Sequence, residues 1–151
     1  MALAYDQDRL TRDVDALFAP ATEVRMIAAE IGAENGLAPD WLNDAVKGFL
    51  PGNDDDPRTV FESASLLVRV PSPEYLLALK LHASRDVHDL DDAAVLFDRV
   101  GYTTPEQAIE LLERTYASAQ LLPRHWYVAD DVAGRAEARR TGPGGRYRNG
   151  P

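Results

Sequence analysis

The sequence predicts an α+β protein, a small α+β unit followed by a helical half, and three observations carry that prediction. "TRDVDALF" and "SASLLVRV" are short, strand-like stretches. "ATEVRMIAAEIGAENG" spaces Val24, Ile27, Ala28 and Ile31 at i, i+3, i+4 and i+7, the stripe of an amphipathic helix. From residue 72 onward the signals are helical, and two helices open on a hydroxyl residue followed by proline.

Taken in order, "MALAYDQ" reads as the last turns of a helix. In "TRDVDALF", Val14, Ala16 and Phe18 fall on one strand face, and Asp13 and Asp15 on the other, because successive side chains alternate. The following helix should end near Gly36, whose freedom to adopt positive φ suits a helix stop. "APDWLNDAVKGFLP" reads as a short helix or turn with two apolar anchors, Trp41 and Phe49, and "GNDDDPRT" as a solvated loop. "SASLLVRV" is the second strand. Ser72 and Pro73 then start the helix "SPEYLLALKLHASR" as N-cap and first helical residue. "HDLDDAAVLFDRVG" is a helix stopping at Gly101. "TTPEQAIELLERTYASA" opens with Thr104 as N-cap, Pro105 next, and Gln107 closing a capping box.

A chain of 151 residues with 45% hydrophobic content can bury one real core. No apolar run approaches the roughly 20 residues that span a bilayer. The start "MALAYDQDRL" has acids where a secretory leader is basic, so no signal peptide is expected. Cysteine is absent, which excludes disulfides, thiolate metal sites and thiol nucleophiles and makes the cytoplasm the expected location. The chain's net charge is −9, yet residues 133–151 carry five Arg against one Glu, a local +4, leaving −13 on residues 1–132. So acidic a body disfavours broad nucleic-acid binding. Residues 133–151, rich in Gly, Pro and Arg, read as a disordered basic tail after a single domain over 1–132, with no linker dividing the chain. RNA contact by that tail is a weak third reading.

Asp13 and Asp15, side by side on one strand face, need a compensating partner, and a divalent cation such as Mg²⁺, which prefers oxygen ligands, is the functional one. Solvent is the plain alternative, and D-x-D recurs at Asp6/Asp8 and Asp54/Asp56. What distinguishes Asp13/Asp15 is its setting among apolar strand residues. Lys80 lies among Leu77, Leu79 and Leu81 in a chain with only two Lys, Lys47 being the other. It either snorkels to solvent or serves as a point charge for phosphate, and the residues alone favour the former. Asp86, Asp89, Asp91 and Asp92 cluster at a helix start, where the helix dipole suffices to explain acids. Asp89 and Asp92 share a face and could meet Lys80 or Arg85. His88 reads as a capping or surface residue; His82 and His125 are isolated in sequence and read as structural. No G-x-S-x-G, P-loop or G-x-G-x-x-G motif occurs, which removes the Ser-triad hydrolase, P-loop NTPase and Rossmann classes.

"TRDVDALF", then "PSPEYLLALKLHASRDVHDLDD" and a closing helix, resembles the nucleotidyltransferase-like proteins of the AbiEii and MenT type, many of them toxins of bacterial toxin–antitoxin pairs. Arg9, Thr11, Asp13 and Asp15 match that family's R-x-T-x-D-x-D strand. Lys80, Arg85, Asp89 and Asp92 match its later helices, with His88 in place of the usual Arg. The likeness covers about residues 1–125. It implies a small, mixed and here incomplete sheet with a helical C-terminal half. The family's glycine-rich loop and first strand would lie upstream of "MALAYDQ", so either the start is assigned too late or the chain is an N-terminally truncated relative, and the resemblance implies an active enzyme only where that loop exists.

The resemblance further implies Mg²⁺-dependent transfer of a nucleotide from an NTP to an acceptor hydroxyl, often a tRNA 3′ end, with a cognate antitoxin as partner and no membrane association. Asp13 and Asp15 would hold the metal. Lys80 and Asp89 join them as catalytic residues, Lys80 neutralising phosphate oxygens and Asp89 positioning Lys80 or the acceptor. Arg9, Thr11, Arg85 and Asp92 would complete the nucleotide site. The second strand offers Arg69 where many such transferases carry an acid. The alternative is a catalytically silent, truncated relative that acts as an interaction module.

Overall fold

The computed structural model describes residues 13–84 and 87–142. They form two compact units that part between Leu50 and Pro51. The sequence had given no reason to divide the chain. The break coincides with the start of the Pro-Gly-Asn-Asp run, whose polar residues favour solvent over packing.

The first unit contains β1 (Val14–Asp15), α1 (Ala21–Asn35), β2 (Leu42–Asn43) and a 3₁₀ turn (Ala45–Phe49). β1 and β2 pair in parallel, Val14 opposite Leu42. The N–H groups of Val14 and Ala16 donate to the carbonyls of Trp41 and Asn43 at 2.6 and 2.8 Å. α1 ends at Gly36, at φ +66°, a left-handed conformation that L side chains disfavour. Along α1 the packed stripe is narrower than the spacing predicts: Ala28 and Gly32 are buried, whereas Ile27 and Ile31 are exposed. The reason is Trp41. Its indole N–H donates to the Ala28 carbonyl at 2.8 Å, and a Cβ built on Gly32 would stand 3.0 Å from the ring. Small residues sit where the indole lies. The predicted helix "MALAYDQ" falls outside the described residues.

In the second unit, β3 (Arg58–Glu62) and β4 (Leu67–Val70) form an antiparallel hairpin, with Arg58 opposite Val70 and Phe61 opposite Val68. A bulge between Thr59 and Phe61 leaves Val60 opposite no residue of β4. This corrects the sequence expectation, which placed Arg58 and Thr59 in a loop. The turn is closed by Ser63, whose Oγ accepts from the Leu66 N–H at 3.0 Å. Among the described residues the strands thus make two separate pairs, one parallel and one antiparallel, instead of one mixed sheet. The parallel pair is joined by a crossover through α1, the antiparallel pair by a short turn.

Four helices follow: α2 (Pro73–Ala83), α3 (Val87–Arg99), α4 (Pro105–Thr115) and α5 (Arg124–Thr141). α2 starts as predicted, with Ser72 Oγ accepting from the Tyr75 N–H at 3.2 Å. The Asp54 carboxylate in turn accepts from the Ser72 N–H and Oγ–H, at 2.6 and 2.8 Å. α3 ends before Gly101, at φ +78°. At α4, Gln107 Oε1 accepts from the Thr103 and Thr104 N–H groups at 2.7 and 3.1 Å. α3 packs on α5 and α2, and α4 on α5 and α2, around Leu77, Leu81, Leu96, Phe97, Leu112 and Val132.

α5 overturns the expectation of a disordered tail from residue 133. Ala133 and Ala136 are buried with Ala129 and Val132. Spaced i, i+3, i+4 and i+7 from Ala129, these small residues let the helix backbone approach its neighbours closely. Two arginines of the same stretch pair with acids: Arg135 with Asp91 at 2.7 Å and Asp131 at 2.8 Å, and Arg140 with Asp98. Residues 143–151 lie outside the described part. No helix among the described residues is long and apolar enough to cross a membrane.

Candidate functional site

The residues singled out by the sequence fall into two groups, one in each unit. In the first unit, Asp13 and Asp15 are exposed, while Val14, Ala16 and Phe18 are half-buried. The predicted alternation therefore holds, with both carboxylates on the strand side turned from the packing. Two hard carboxylate oxygen donors suit Mg²⁺, which commonly takes one or two protein carboxylates and completes its shell with water and phosphate. Among the described residues no group of three or more His, Cys, Asp or Glu converges as a larger metal site would require. Arg9 and Thr11 lie outside the described residues.

In the second unit, α2 and α3 bring Lys80, Asp89 and Asp92 together. Lys80 sits near the C-terminal end of α2, and Asp89 and Asp92, three residues apart, share one face of α3. The Lys80 ammonium donates to Asp89 Oδ1 at 2.8 Å and stands 3.1 Å from Asp92 Oδ2. The Asp92 side chain is only 8% exposed, against 28% for Lys80 and 32% for Asp89. Burial pulls the ammonium toward its neutral form, but the hydrogen bonds and charges of the two aspartates more than offset this and raise the Lys80 pKa. Lys80 is therefore a fixed, fully charged cation, not a side chain trailing into solvent. Ser84 ties the end of α2 by donating its hydroxyl to the Lys80 carbonyl. Arg85, the other cation expected here, lies outside the described residues, and His88 is exposed.

A second cluster had no sequence signal. His82 and His125, isolated in the chain, meet with ring centroids 4.9 Å apart. The His82 ring also stacks on Tyr116 at 4.0 Å, the planes 9° apart. His125 Nδ1 accepts from the Leu122 N–H at 3.0 Å, which places the proton of the neutral ring on Nε2. Burial first, then the nearby charges of His82 and Arg124, lower the His125 pKa, with the His82 backbone offsetting part. The Tyr116 hydroxyl is buried without a hydrogen-bond partner among the described residues, and burial pushes its pKa up to about 12. His125 and Trp126 border an open pocket of about 340 Å³ with Ile109, Leu112 and Leu122.

With this geometry in hand, comparison with family models, curated proteins and solved structures yields no match for the chain.

Proposed function

We propose that the chain is a nucleotidyltransferase-like protein that transfers a nucleotide from an NTP to an acceptor hydroxyl with Mg²⁺, in the manner of toxin–antitoxin enzymes. The observation that carries this reading is Lys80, held as a charged group by Asp89 and Asp92 on the helix pair that the motif spacing singles out. A lysine so fixed suits charge neutralisation on phosphate, since its position is set before the ligand arrives. Asp89, the more exposed partner, is placed to exchange its contact when phosphate oxygens approach. Asp92 supports Lys80 from a more buried position. Asp13 and Asp15 would hold magnesium, which would offset the charge gathering on departing pyrophosphate. The remaining contribution of the protein is positioning, because in-line attack by a hydroxyl needs alignment more than covalent chemistry. A tRNA 3′ end is the acceptor to test first, and a cognate antitoxin the partner.

A second reading, a catalytically silent interaction module, is favoured by the apolar side chains that both units expose. These include Met26 and Ile27 on α1 and Phe61 and Leu66 on the hairpin. One experiment separates the two. The chain is incubated with Mg²⁺, each labelled NTP and total tRNA, beside Asp13→Ala and Lys80→Ala. Label transfer that either substitution abolishes supports the enzyme. Absence of transfer, or equal transfer by wild type and Asp13→Ala, rejects it in favour of the module.

A further inference from the structure

We propose that the pocket between α4 and the start of α5 is a binding site for a small organic cation, an ammonium group carried on an apolar body. Its volume of about 340 Å³ is that of a small-molecule site. None of its residues belongs to the Lys80 group. The walls follow from local spacing. Ile109, Leu112 and Glu113 stand at i, i+3 and i+4 along α4, so one helix face presents all three. The chain then turns back through Ser118–Gln120, and the other side is closed by Leu122 and, from the first turn of α5, His125 and Trp126. Ile109, Leu112 and His125 are buried, while Leu122 and Trp126 are about half exposed. The Leu122 N–H, bonded to His125 Nδ1 at 3.0 Å, holds this second wall together, so the pocket is formed before any ligand arrives.

Charge names the occupant. Among the described residues that border the pocket there is no Lys or Arg, and Glu113 supplies the one formal charge at neutral pH. His125 adds none there, since burial favours its neutral ring. Glu113 is exposed and makes no ion pair or hydrogen bond among the described residues. Its neighbour Arg114 is committed elsewhere, to Glu74 at 3.0 Å and to the Tyr102 hydroxyl at 2.9 Å. Arg124, at the start of α5, donates to the His82 carbonyl at 3.0 Å. A carboxylate and an exposed indole on one pocket suit an ammonium ion, the first by charge and the second by the negative face of its ring. The buried aliphatic residues between them would take up the apolar body. The chain's net charge of −9 further enriches cations at its surface.

The test is a nitrogen–proton correlation NMR titration of the full chain at neutral pH with three probes that share one aryl body. These are phenethylammonium, the neutral phenethyl alcohol and the anionic hydrocinnamate. Phenethylammonium should shift the Ser118 and Leu122 amides and the Trp126 indole N–H saturably, with a dissociation constant of about 1 mM or below. The Trp41 indole, which belongs to the other unit, should stay still. The alcohol should bind about fivefold more weakly, and the anion should not bind. Glu113→Gln, an isosteric change at an exposed position, should weaken the cation about fivefold and leave the alcohol unchanged. Absence of a saturable shift at these groups overturns the proposal, as does equal binding of cation and alcohol or a cation indifferent to Glu113→Gln. Nα-acetyl-lysine amide, whose ammonium hangs from a flexible and polar body, should bind more weakly than phenethylammonium; tighter binding overturns the assignment to a small molecule. Should Glu113→Gln not fold, the charge series on the wild type decides the matter alone.

Discussion

Lys80 and Asp92 make a charge pair of unequal depth: the ammonium stands 3.1 Å from a carboxylate that is almost wholly withdrawn from water. Removing the cation takes the ammonium partner from that buried carboxylate. Lys80→Met should therefore destabilise the second unit by about 2 kcal/mol, and Asp89→Asn by less, since Asp89 is more exposed. Urea denaturation curves at neutral pH measure both. A Lys80→Met protein as stable as wild type would show that the pair contributes nothing net.

The same pair sets an alkaline signature. The folded-state pKa of Lys80 is raised above 10.5, its ordinary value, so its contribution is complete below that pH and fades as pH rises through the folded value. The stability difference between wild type and Lys80→Met should accordingly be constant from neutral pH to about pH 10 and narrow above it. Denaturant midpoints at stepped pH test this.

The His125 pKa moves the other way. Folding favours the neutral ring, so the contribution is present above 6.5, the ordinary histidine value, and is lost as pH falls through the lowered folded value. His125→Asn keeps an acceptor for the Leu122 N–H and removes the titration. Its stability relative to wild type should improve as pH drops from 7 toward 5. Nitrogen-detected NMR of the imidazole gives an independent check, expecting the Nε2–H tautomer at pH 7.

Tyr116→Phe removes a buried hydroxyl that has no partner among the described residues while keeping the ring stacked on His82. The variant should be as stable as wild type or more so by up to about 1 kcal/mol, in contrast to the usual cost of a core substitution. In wild type, spectrophotometric titration should show one of the six tyrosines ionising last, near pH 12.

Asp54→Ala removes the carboxylate that accepts from both the N–H and the hydroxyl of Ser72. It should cost about 1–2 kcal/mol, comparable to losing an N-cap, because Ser72 is the cap of α2. Thermal denaturation followed at 222 nm provides the measurement.

What the sequence discloses in this chain is mostly local. Ser72–Pro73 and Thr104–Pro105–Gln107 announce helix starts, and Gly36 and Gly101 announce stops, because caps and positive φ are settled within a few residues. The meeting of Lys80 with Asp89 and Asp92 is legible too, since a three-residue spacing on a helix fixes a shared face. β3 is hidden behind "DDDP", and only its pairing with β4 makes it a strand. α5 is missed because its packed stripe is built from alanines, which carry little hydrophobic contrast against "RAEARR". The His82–Tyr116–His125 cluster spans three separate elements, and no spacing in the chain encodes it. The broad α+β class survives these misses, since it depends only on the kinds of element present.

Tryptophan occurs twice in the chain, once in each unit. Trp41, bonded to the Ala28 carbonyl and lying over Gly32, is half-buried, whereas Trp126 is 55% exposed. The two indoles should thus emit at different wavelengths, and a soluble quencher such as iodide should reach Trp126 first. Light from a single unlabelled sample can then report on the melting of each half separately, with Trp126→Phe assigning the bands.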